Sequence, residues 1–216
     1  MSNFKPPMIL PKLSSLKWLQ GSATELTHEL HLMVMIQPNC PGCHIHALPL
    51  ANQLASVKQD FDIYCVSTAF EDFEFNNEDT ARLLLEGKHV GVSKEQLGET
   101  ARNVPKMPLA HDIVIPIGEA SDEVKTMALE ASKANALIQM EGRVPITVLK
   151  QHLQNVGYEV LPEKIPMMFY KAQAMGTPTW VLHQADGTVL GTKFGQLSKF
   201  ELGQWLKDLG GVDVTF

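Results

Sequence analysis

The chain has 216 residues, 44% of them hydrophobic and 19% charged, with a formal net charge of -6. That length and balance bury a core without staples, as one large domain or one domain with an insertion. An acidic balance without a basic patch excludes a nucleic-acid partner, and 3 cysteines are too few for a disulfide scaffold.

Residues 1–20 carry Lys5, Lys12 and Lys17 among Pro6, Pro7 and Pro11, with no continuous apolar run suited to a leader. The most apolar stretch, Leu30 to Ile36, is far too short to span a bilayer. The expected location is therefore cytoplasmic, with a mature periplasmic form as the alternative. Residues 1–27 read as an irregular lead-in with short strands. Leu30 to Ile36 reads as a strand buried on both faces. Gln37-Pro38-Asn39 breaks it. Asn39 then suits an N-cap and Pro41 a first helical turn. The helix runs to about Lys58, with Ile45, Leu48, Leu50, Leu54 and Val57 on its apolar side and Pro49 kinking it.

Phe61 to Ser67 is the second core strand, with Cys65 as a buried small hydrophobe. The acidic loop Phe70 to Phe75 follows, anchored by Phe70, Phe73 and Phe75. Glu78 to Glu86 and Ser93 to Arg102 read as short helices. Ile113 to Ile117 reads as a strand, and its proline places it at an edge or an end. Three helices follow: Ser121 to Met140, Pro145 to Val156, and Pro166 to Met175. Five of the chain's 10 methionines (Met127, Met140, Met167, Met168 and Met175) fall in this block, as adaptable core packing or as a pliable surface for varied protein substrates. Trp180 to His183 and Val189 to Phe194 flank Asp186-Gly187, a hairpin signal. A last helix spans Ser198 to Leu209. The order predicts an α/β fold, a mixed sheet flanked by helices, as a single domain over 1–216 with a helical insertion at 118–176.

The chemistry concentrates at Cys40-Pro41-Gly42-Cys43. Disulfide exchange needs a thiolate, and a free thiol is mostly protonated at neutral pH. Cys40 at a helix N-terminus faces unpaired N–H groups that stabilise the anion. Cys43 lies one turn on, close enough to close a disulfide. Pro41 and Gly42 place no charge between them.

This strand, motif and proline-kinked helix resemble the thioredoxin superfamily. Gly176-Thr177-Pro178-Thr179-Trp180 is similar to that superfamily's cis-proline loop and the hairpin after it. The lead-in around Trp18 and the stretch from Thr68 look like the TlpA/AhpC-TSA branch, and the helical block resembles the insertion of DsbA. The resemblance implies a thioredoxin-like thiol–disulfide oxidoreductase with a redox-active Cys40–Cys43 disulfide and no other cofactor. It implies a cis Pro178, with Thr177 and Pro178 guiding a protein or small-molecule disulfide or dithiol, and a second redox partner that donates or accepts electrons. Two departures stand out. Thioredoxins carry a buried acid in the first core strand, whereas Met33 to Ile36 is apolar. Gln37 stands where a peroxiredoxin has Thr or Ser, so peroxidase activity is set aside.

His44 and His46 read as solvated helix residues, or as modulators of the Cys40 pKa if either lies beside it. Three rival readings use the same residues. Cys-x-x-Cys-His also matches c-type haem attachment. Cys40, Cys43, His44 and His46 are the donors of a copper or zinc carrier, but four ligands within one helix start make a poor tetrahedron, and no metal is expected. A redox-inactive interaction domain is the third.

Overall fold

A computed structural model describes residues 8–129 and 163–216. The expected helix at Pro145–Val156 and the later part of Ser121–Met140 lie outside the described residues, as does most of the expected insertion.

The strands are β1 (Lys17–Gln20), β2 (Leu30–Ile36), β3 (Asp62–Ser67), β4 (Leu109–His111), β5 (Val114–Pro116), β6 (Lys164–Pro166), β7 (Thr179–Gln184) and β8 (Val189–Phe194). The helices are α1 (Leu48–Ala55), α2 (Glu78–Leu85), α3 (Gly91–Leu97), α4 (helical over 122–129), α5 (Met167–Lys171) and α6 (Lys199–Gly210). Six strands form one sheet in the order β1-β4-β3-β2-β7-β8. β2, β3 and β4 are mutually parallel; β1, β7 and β8 each run antiparallel to a neighbour. The architecture is the expected mixed sheet flanked by helices. β5 and β6 pair separately, so the proline in 113–117 does sit in a short, peripheral strand. β4 has only three residues, too few to show a period in the sequence.

β2 explains its own apolar run. Leu32, Val34 and Ile36 join the core that holds Leu48, Ala51 and Leu54 of α1 and Leu202 and Leu206 of α6. Met33 and Met35 point the other way, into the core of Ile165, Met168 and Phe169. Alternate side chains thus serve opposite layers, which removes the alternation a half-exposed strand would show. Each fully buried side chain of this size stabilises the fold by roughly 1.5–3 kcal/mol. Trp180 is fully buried in the first of these cores.

The segment 41–55 departs from a regular helix. Cys43–Ala47 widen into a π-helical turn, with the Leu48 N–H reaching the Cys43 carbonyl. In that register the Pro49 nitrogen faces the His44 carbonyl, but it carries no hydrogen. Asn103 Nδ2 donates to that carbonyl instead, at 2.9 Å. The extra residue shifts the helical phase. Ile45, expected on the apolar side, is 50% exposed, and His44 is buried. α1 ends at Ala55 rather than near Lys58, because the Ser56 N–H and hydroxyl both fold back onto the Gln53 carbonyl.

α5 is shorter than the expected 166–175, and Pro166 precedes its first turn. Its exposed N–H groups are met by Asp112. This buried carboxylate accepts from Met168 N (2.8 Å), Phe169 N (3.1 Å) and the Thr68 hydroxyl (2.9 Å). Asp112→Ala strands three buried donors and is expected to cost about 3 kcal/mol. Urea unfolding checks this; an unchanged midpoint would show that Asp112 does not anchor α5.

Burial holds His44 and His183 at pKa values of about 4. His183 shares a hydrogen bond with the buried Tyr64 hydroxyl at 2.9 Å. The unfolded chain binds protons to both rings from about pH 6.5 downward, while the folded chain does not, so stability falls as pH drops from about 6.5 toward 4. Asp112 opposes this: burial raises its pKa to about 7, so the folded state takes up one proton over the same range. Two histidines outweigh one carboxyl, and His31 and His111, also lowered by burial, act with them. The urea midpoint should therefore be lower at pH 4.5 than at pH 6.5, and His183→Gln should flatten the difference.

Candidate active site

β2 ends at Ile36 and hands the chain to Gln37 and Cys40, while β7 begins at Thr179, just after Thr177 and Pro178. The antiparallel register pairs Met35 with Thr179. Both loops therefore leave the same end of the sheet, side by side. The Thr177–Pro178 peptide bond is cis. The Cys40 thiol lies 3.6 Å from the Thr177 carbonyl, and the Cys43 N–H donates to Cys40 Sγ at 3.2 Å. Cys40 is half-buried, Cys43 is buried, and both are free thiols. The structure thus brings together Cys40, Cys43, Thr177 and Pro178, with Pro41 and Gly42 opening the helix.

The electrostatics separate the two sulfurs. The Cys43 thiol, then the Cys43 N–H, stabilise the Cys40 thiolate, while the Thr177 hydroxyl donates to Gln37 instead. Against them stand burial and the Glu71 carboxylate, and the Cys40 pKa settles at about 7. Burial first, then the hydrogen bond to Cys40, hold Cys43 well above the usual thiol range. Burial pushes Cys65 to about 12, with its thiol against Met107 Sδ at 3.3 Å, as expected for an inert core cysteine.

Neither histidine takes the role of a thiolate partner. His46 is exposed. His44, expected in solvent, is 2% exposed, with Nε2 2.8 Å from the Pro38 carbonyl and its ring edge-on to His89 at 4.5 Å. The cause is the phase shift of the π turn.

Asn39 also departs from expectation, because its side chain does not cap the helix it precedes. Its Oδ1 accepts from Val92 N at 2.6 Å, its Nδ2 donates to Asp72 at 2.9 Å, and its own N–H is met by Asn76 Oδ1 at 3.1 Å. One residue thus ties the cysteine loop to the acidic loop and to α3. Gly91, at φ +47°, is required here: a Cβ would lie 2.2 Å from Asn39 Oδ1. The sequence marks Gln37 as part of the strand break and as the residue standing where a peroxiredoxin has Thr or Ser. It is 3% exposed and accepts the Thr177 hydroxyl proton at 2.9 Å. Within the acidic loop, Phe70 stacks on Phe169 with centroids 4.3 Å apart, and Lys164 stands over the Phe73 ring at 5.6 Å. Phe75 is 36% exposed and does not anchor the loop in the core.

No family model and no curated protein matches the chain. Among solved structures it is similar to a thiol-disulfide isomerase from Corynebacterium glutamicum, at 18% identity and a TM-score of 0.54, over 94% of this chain and 96% of that one. It is also similar to a thioredoxin-like superfamily protein, at 18% identity and a TM-score of 0.53, over 96% of this chain and 99% of that one. The fold is thioredoxin-like. In this thioredoxin-like fold the two cysteines follow the central strand β2, and the Thr177–Pro178 loop comes from its antiparallel neighbour. Among the described residues, no helix is long and apolar enough to cross a membrane, and no group of three or more His, Cys, Asp or Glu side chains is arranged to hold a metal ion.

The sulfur environments predict selective alkylation. Iodoacetamide should modify reduced Cys40 first, with a rate that rises through a midpoint near pH 7, while Cys43 and Cys65 stay unmodified until unfolding. Peptide mapping across pH checks this. A Cys40 midpoint near 9 would show that the surrounding donors do not stabilise its thiolate.

Proposed function

We propose that this chain is a thiol–disulfide oxidoreductase acting on protein or small-molecule disulfides through Cys40 and Cys43. The observation that carries the reading is the asymmetry of the pair: a half-exposed Cys40 with its pKa lowered to about 7, receiving the N–H of a buried Cys43 held above its usual range. The Corynebacterium glutamicum protein of the same fold is a thiol-disulfide isomerase, and its exchange chemistry supports this reading.

In the reducing direction the Cys40 thiolate attacks one sulfur of the substrate disulfide. A Cys40–substrate disulfide forms, and the other substrate sulfur leaves as a thiolate that takes up a proton. Cys43 then loses its proton and attacks Cys40 Sγ. The second substrate thiol is released, and the Cys40–Cys43 disulfide closes. The substrate gains two electrons and two protons, and the protein loses them. The redox centre is the disulfide itself, with no further cofactor. The oxidising direction is the same path reversed, and a second partner restores the starting state. The potential of the couple selects between the two directions.

The Thr177–Pro178 loop lies beside the attacking sulfur and serves as the guide for the substrate chain. Thr177 also presents its hydroxyl to Gln37, which fixes the loop relative to β2.

With dithiothreitol as reductant, the protein should accelerate insulin precipitation. Cys40→Ser should abolish the acceleration. Cys43→Ser should accumulate a Cys40–substrate disulfide, visible by mass spectrometry and released by excess reductant. Undiminished insulin reduction by the Cys40→Ser protein would sink the assignment.

A further inference from the structure

A groove of about 440 Å³ runs beside the Cys40 sulfur, between the acidic loop and the Thr177–Pro178 loop. Its character follows from a few side chains. Val92, Met175 and Phe194 line it and are 37%, 38% and 42% exposed, an unusual amount of apolar surface beside a reactive thiol. Glu71 and Asp72 line it too, and no described Lys, Arg or His does. The nearby Lys164 is engaged over the Phe73 ring and is not part of the lining.

The anionic wall is built. Asp72 is held by Asn39 Nδ2 at 2.9 Å, and Asn76 Nδ2 donates to the Glu71 carbonyl at 3.0 Å. Asp72 stands at φ +46°, the carbonyl of its turn accepting from Phe75 N and Asn76 N at 2.8 and 2.9 Å. Partial burial, then the Asp72 carboxylate, raise the Glu71 pKa, although its side chain still reaches solvent. Glu71 also acts on Cys40, whose thiolate it disfavours. A cation placed between Glu71 and Cys40 would relieve both effects. Gln37, nine-tenths buried, lines the same groove with an amide nitrogen that has no acceptor among the described residues. That nitrogen is covered, and the amide oxygen holds the Thr177 hydroxyl, so Gln37 fixes the floor of the groove.

We infer that the groove selects its substrate by charge: it takes an extended peptide segment that carries a basic residue beside its disulfide cysteine, with an apolar neighbour on the Val92–Met175–Phe194 wall. Acidic segments and small anionic disulfides are disfavoured there. The inference rests on the exchange reading above. It adds the substrate class to that chemistry, and the reducing step is unchanged: the peptide disulfide takes two electrons and two protons from Cys40 and Cys43.

The test uses the reduced full-length protein and two peptide disulfides identical except for Lys or Glu beside the cysteine. Each rate is normalised to that of uncharged dithiothreitol with the same peptide. The Lys peptide should react about tenfold faster than the Glu peptide at low salt, the scale of electrostatic steering into a charged cleft. The ratio should fall at least threefold in Glu71→Gln, and again in 0.5 M NaCl, where charges more than about 4 Å apart are screened. Asp60→Asn, an exposed acid just before β3 at the opposite end of the sheet, should leave the ratio unchanged. Equal normalised rates overturn the inference alone. So does a ratio that survives both Glu71→Gln and Asp72→Asn, or one that Asp60→Asn lowers equally, since net charge then explains it. If folded protein reacts with neither peptide, the exchange reading falls and takes this inference with it.

Discussion

The antiparallel pairing of β2 with β7 is the constraint on which the site depends. One strand delivers the cysteines and the other begins where the proline loop ends, although nearly 140 residues of chain separate them. Pairing Met35 with Thr179 leaves both loops projecting from one end of the sheet. A slip of one residue would turn every side chain of β2 to the opposite layer. Leu32, Val34 and Ile36 would then face the core built for Met33 and Met35. Two well-filled cores therefore lock the register, and the register locks the distance between Cys40 and Thr177.

The sulfur chemistry is arranged without a buried acid in the central strand. Val34 and its neighbours are apolar, and the nearest polar side chain toward the motif is the amide of Gln37. Stabilisation of the Cys40 thiolate falls instead to short-range donors at the helix start, chiefly the Cys43 thiol and N–H. Glu71 works from outside the helix and in the opposite sense. The inner pair sets which sulfur ionises first, and the outer loop sets what surrounds it. Changes in the acidic loop can therefore alter the surroundings of Cys40 while the dithiol keeps its geometry.

Much of this was legible in the sequence. The buried strand before the motif, the Cys40–Cys43 spacing, the Asp186-Gly187 hairpin and the last helix from Ser198 each rest on local chemistry that a few adjacent residues carry. What was not legible depends on residues far apart. The exchange of places between Ile45 and His44 needs the π turn, which Pro49 hints at without revealing its phase. The reach of Asn39 to Asp72, Asn76 and Val92 joins the cysteine loop to the acidic loop and to α3, and Gly91 marks it only once the close approach is known. β4 has its place because β1 and β3 flank it, and three residues hold no period. Asp112 carries no local signal, because Met168 and Phe169, whose N–H groups it accepts, lie 56 and 57 residues further on.

The pairing of β5 with β6 carries a different consequence. The chain leaves the main fold along β5 and returns along β6, and the Ile117 N–H meets the Glu163 carbonyl at 2.9 Å. Exit and re-entry are thus clasped at one point. Whatever lies between these two residues enters through a doorway one hydrogen-bonded ladder wide. Ala120 and Ala128 on the near side of that segment are buried with Met33 and Met35, so its first turns are tied to the sheet, while added length beyond them costs little, since the cost of closing a longer loop grows only slowly with its length. The clasp thus sets growth of that segment apart from β2 and β7, the strands that carry the cysteine and proline loops.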